Sequence, residues 1–69
     1  MPITAAEARE HVDELEAERA LAAATGIADI DSYMRDLADE LELWCHIYVT
    51  SAVTEIATLR AELFGPLAG

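Results

Sequence analysis

Two pairs of side chains in this sequence have the spacing that chemistry uses. Glu7 precedes His11 by four residues, and Glu42 precedes His46 by four. Residues four apart on a helix share a face, and a carboxylate beside an imidazole can hold a metal ion between them. A chain folded back on itself would bring His11 level with about Trp44, so all four groups would lie at similar heights. Facing argues against their convergence. Glu42 and His46 fall on the polar side of their helix, and His11 lies only at the border of an apolar strip. The expectation is two exposed Glu–His pairs, each worth about 0.3 kcal/mol. No metal or cofactor is expected; Glu7, His11, Glu42 and His46 are the candidates should one bind.

Other reactive side chains read the same way. Cys45 adjoins His46, but neighbours on a helix point about 100° apart and do not readily share a proton. Cys45 reads instead as a small hydrophobe beside an apolar face, placed where oxidation could cross-link two chains. Arg19 is the one charge on the apolar strip of the first helix. It can pair with Asp36 or Glu40, or extend its head to water, and the second is preferred. Trp44 and Tyr48, one turn apart, could stack a ligand, but beside an alanine-rich helix large rings serve better as core. No Gly-rich phosphate loop, nucleophile elbow, Ser/His/Asp series or basic patch is present. With no cleft expected in a two-helix chain, a non-enzymatic protein is the reading.

The charge balance limits the partners. Four Arg and no Lys against 14 acids give a net charge of −10, and DNA affinity rests on cations that release phosphate counterions. Direct nucleic-acid binding is therefore not expected. The absence of Lys and the abundance of Ala point to a GC-rich bacterial or phage genome. Leu43 to Thr54, the longest uncharged stretch, is too short and too polar for a bilayer. No basic flank followed by an apolar run opens the chain. With one cysteine and these features, a cytoplasmic protein is expected, without membrane contact.

The elements that must position these residues are two helices. Thr4-Ala5-Ala6-Glu7 is a capping box, in which Thr accepts from the Glu amide and Glu reaches back. Good helix formers continue to Ala24, and Thr25-Gly26 stops them, with Gly26 in the left-handed position and Ile27 available for a hydrophobic contact. The first helix thus spans about 4–25. Asp29 or Asp31 can cap the second; Asp29 is preferred, giving a helix of about 30–64. Gly65-Pro66 ends it, and Leu67, Ala68 and Gly69 should fray. His46 to Thr54 has the β-branched and aromatic content of a strand. Its apolar spacing, through Leu37, Leu41, Trp44, Tyr48 and Ala52, is nevertheless helical.

Turning each residue by about 100° separates two apolar faces on the second helix. Ile30, Tyr33, Met34, Leu37, Leu41, Trp44 and Tyr48 form the first. Beyond Cys45 the apolar side rotates by roughly a fifth of a turn to Val49, Ala52, Val53, Ile56, Leu59 and Leu63, while Glu55 and Glu62 take the old direction. At 1.5 Å per residue the first helix is about 30 Å long and the second about 50 Å. Folding back at 26–30 sets the first helix beside the stretch from Ile30 to Tyr48, and the rest of the second helix overhangs.

These observations give an all-α fold over 1–69, a two-helix antiparallel hairpin with a long second helix. A chain of 69 residues has little core, one cysteine and no zinc-ligand cluster to staple it. Oligomerisation is the remaining remedy. The expected assembly is a dimeric four-helix bundle, with Cys45, Val49, Val53, Ile56, Leu59, Leu63 and Phe64 as the interface. The expected function is an interaction module that acts as adaptor, scaffold or regulator by binding, with a second protein as a further partner. Two alternatives belong to other classes. One is an acidic nucleic-acid mimic, an inhibitor or antitoxin-like antagonist of a basic partner. The other is a helical metal-binding protein using the Glu–His pairs.

Overall fold

A computed structural model describes residues 3–65. Those residues form two helices packed against each other: α1 (Ala5–Thr25) and α2 (Asp31–Phe64), joined by a single 3-10 turn at Ile27–Asp29. No strand occurs among the described residues, and 46–54 is continuous helix. Its β-branched side chains are accommodated locally, as Thr54 donates its hydroxyl to the Thr50 carbonyl at 2.9 Å.

Both ends of α1 follow local chemistry. Thr4 has extended backbone and accepts from the Glu7 amide at 3.1 Å, while Glu7 accepts from the Thr4 amide at 3.3 Å. Gly26 closes the helix at φ 85°, where a side chain would strain the backbone. Gly65 closes α2, also at positive φ. Pro66 and the expected frayed tail lie outside the described residues.

The start of α2 differs from expectation. Asp29 does not cap it; Asp29 lies in the 3-10 turn, and Ile30 occupies the cap position without a side-chain bond. The Asp29 amide donates to the Gly26 carbonyl at 3.2 Å and the Ile30 amide to the Ile27 carbonyl at 2.9 Å. Two tight bonds thus satisfy the turn before α2 begins, and they displace the helix start to Asp31. Ile30 is consequently exposed rather than part of the inner stripe, as is Ile27.

The core is a narrow seam. Val12 and Leu15 of α1 meet Leu37 and Leu41 of α2, with Tyr33, Met34 and Trp44 packed partly buried around them. Ala8 and Ala22 are also buried. Alanine at these positions keeps α1 thin and lets the two backbones approach. The result is a rod of 59 × 18 × 16 Å.

Candidate functional site

The four candidate metal ligands do not come together. Glu7 gives its carboxylate to the cap: Oε1 accepts from the Thr4 amide and, at 2.9 Å, from the Thr4 hydroxyl. His11 stacks on Trp44, with ring centroids 4.0 Å apart and planes inclined by 15°. Glu42 and His46 are exposed on α2. Among the described residues, no three His, Cys, Asp or Glu side chains are gathered where they could hold a metal ion.

The aromatic pair on α2 is likewise engaged within the hairpin. Trp44 lies half-buried between the Leu seam and the His11 ring. Tyr48, one turn on, carries the Arg9 guanidinium 5.8 Å from its ring centroid, a cation–π distance. Arg9 also donates Nε to Asp13 at 3.3 Å. Asp13 first, and then Tyr48, hold the guanidinium further toward its charged form. This is the one ion pair found among the described residues. Arg19 does not reach Asp36 or Glu40; it is exposed, with its head in water. At the loop end Tyr33 donates its hydroxyl to Glu18, and that bond holds the phenol above its ordinary pKa.

One contact lies beyond the sequence reading. Glu55 Oε2 accepts from the Ala5 amide at 2.5 Å, so a carboxylate of α2 satisfies one of the free amides at the start of α1, at the positive end of its dipole. α1 therefore covers α2 as far as Glu55, about two turns beyond Tyr48. The available signal was length. The 21 residues of α1, laid antiparallel from Asp31, reach past Thr50. Ile3, Thr4, Thr50, Ser51, Thr54 and Glu55 line the open groove at this junction.

The residues expected to form an interface stand together on the outside. Val49, Val53, Ile56, Leu59, Leu63 and Phe64 are exposed, from 54% for Leu59 to 71% for Phe64. Cys45, at the near end of the same band, carries an exposed free thiol. Ala52 is half-buried beside them. Single exposed apolar residues such as Leu21 and Leu43 are ordinary on a protein surface. Six along four turns of one helix are a contiguous stripe. Among the described residues no helix is long and apolar enough to cross a membrane. Fold and surface together define the class, an all-α helical hairpin with an uncovered apolar stripe. Compared with known proteins, the chain matches no family model, no curated protein and no solved structure.

Proposed function

We propose that the protein is a non-enzymatic interaction module that associates with itself through the second half of α2 and acts as adaptor, scaffold or regulator by binding. The observation that carries this reading is the stripe from Val49 to Phe64, which α1 leaves uncovered. Large exposed apolar patches on small proteins mark binding surfaces. A two-fold dimer covering the stripe would form a four-helix bundle, the simplest closed assembly of hairpins.

The direction of the stripe supports the bundle. It is rotated by roughly a fifth of a turn from the seam that meets α1. In a four-helix bundle whose two long helices touch across the two-fold axis, each long helix meets its own α1 and the second copy's α2 less than a quarter of a turn apart.

Replacing Ile56 and Leu63 together with Asp tests the reading. The expected outcome is a monomer by light scattering, still helical by circular dichroism but less stable. An unchanged mass would overturn it.

A further inference from the structure

Resting on that self-association, we infer that the occupant of the stripe is a second copy lying parallel and in register with α2, rather than antiparallel to it. Two observations point to one further copy of α2 as the occupant, and a third to its direction.

The first is area. The chain exposes 5488 Å², whereas a compact monomer of 7.5 kDa exposes about 4,200 Å². The surplus of about 1,200 Å² exceeds the roughly 800 Å² that each partner buries in a stable interface. One further copy with an interface of that size would remove about two-thirds of it.

The second is the repeat within the stripe. Val49, Ile56 and Leu63 recur every seven residues, and Cys45, Ala52 and Leu59 form a second series displaced by three. This is the two-position repeat of a coiled coil. Among parallel coils, β-branched residues such as Val49 and Ile56 in the first series with a Leu such as Leu59 in the second favour two strands over three or four. Upstream of Cys45 the first series continues to Glu42, whose carboxylate would oppose its own copy and end the contact there.

The third is charge on the flanks. Glu55 and Glu62 border one side of the repeat, Val53 and Arg60 the other. In parallel strands each flank residue meets the opposite flank of the partner five positions on. Glu55 then faces Arg60 of the second copy, twice by symmetry. In antiparallel strands like flanks meet, so Glu55 and Glu62 face the glutamates of the second copy. Glu55 Oε2 is engaged with Ala5, which leaves the other oxygen for the guanidinium and links the dimer contact to the start of α1.

The two arrangements predict different distances on the full chain. With a nitroxide at Asp39→Cys in a Cys45→Ala background, parallel strands keep the two labels within about 30 Å. Antiparallel strands centred on Ile56 separate residues 39 by 34 helix positions, roughly 50 Å at 1.5 Å each. A distance near 50 Å would overturn the inference. The native thiol gives a second readout with copper-phenanthroline, which takes one electron from each of two thiols as each loses its proton. In-register strands place the Cys45 pair across the axis, so most of the chain should run as a covalent dimer that dithiothreitol reverses. A sample of dimeric mass that yields only monomer on the non-reducing gel would overturn the register. A monomeric mass would overturn self-association as well, so the two failures are distinguishable.

Discussion

Thr4 and Glu7 illustrate how much one local arrangement decides. Each gives the other a hydrogen bond across the first turn of α1, and the same bonds take Glu7 away from His11. Thr4→Ala should cost about 1 kcal/mol, lowering the melting midpoint by about 4–8 °C at fixed chain concentration; thermal circular dichroism measures it. A second test at this scale uses Tyr33. The Glu18 carboxylate accepts a hydrogen bond from the phenol and, with partial burial and its own charge, raises the Tyr33 pKa above the ordinary tyrosine value. The folded form therefore keeps a proton that the unfolded chain releases near pH 10. The contribution to stability is whole below pH 10 and is lost as pH rises through the folded pKa. In denaturant titrations across the alkaline range, Tyr33→Phe should flatten that loss. Absorbance titration should show one phenol ionising late, and Glu18→Gln should bring it back toward the ordinary value.

At the scale of elements, the seam and the ends of the helices carry the hairpin. Leu37 and Leu41 are half of a four-residue buried cluster, and replacing either with Ala should cost about 2–5 kcal/mol. In so thin a core that is enough to unfold the chain at moderate temperature, which a urea titration would show. Gly26 has open space around the position of an added Cβ, so Gly26→Ala should cost only the backbone strain of the left-handed region, about 1 kcal/mol.

The ends of α1 were legible in the sequence because their signals are local: a Thr three residues before a Glu, and a Gly after a run of helix formers. The start of α2 was not. Asp29 and Asp31 both read as caps, Asp29 the better, yet neither serves, because the backbone bonds of the 3-10 turn put Ile30 in that position. Apart from Ile30 and Ala52, the facing of α2 was legible from periodicity, with Leu37 and Leu41 buried and Val49, Val53, Ile56, Leu59 and Leu63 left outside. The Glu55 contact was not, because it depends on how far α1 reaches along α2. Nor could spacing show that His11 stacks on Trp44, although it placed the two at the same level.

For the whole molecule, shape is the decisive quantity. The radius of gyration is 17.1 Å, against about 11 Å for a compact domain of this length. A rod this thin buries six residues well, two of them alanine. Dimerisation through the stripe would thicken the rod where it is barest. The net charge of −10 gives this proposal a distinct salt response. Two acidic chains repel at long range, so raising salt should leave the dimer unchanged or tighten it. Capture of a basic partner by an acidic mimic would weaken steeply over the same range.

Self-association is tested most directly by the solution mass of the full chain, measured by sedimentation equilibrium over a range of concentrations. A reversible dimer is expected, twice the 7.5 kDa chain mass, that dissociates on dilution. A well-folded monomer at every concentration, with the stripe from Val49 to Phe64 still exposed, would contradict it.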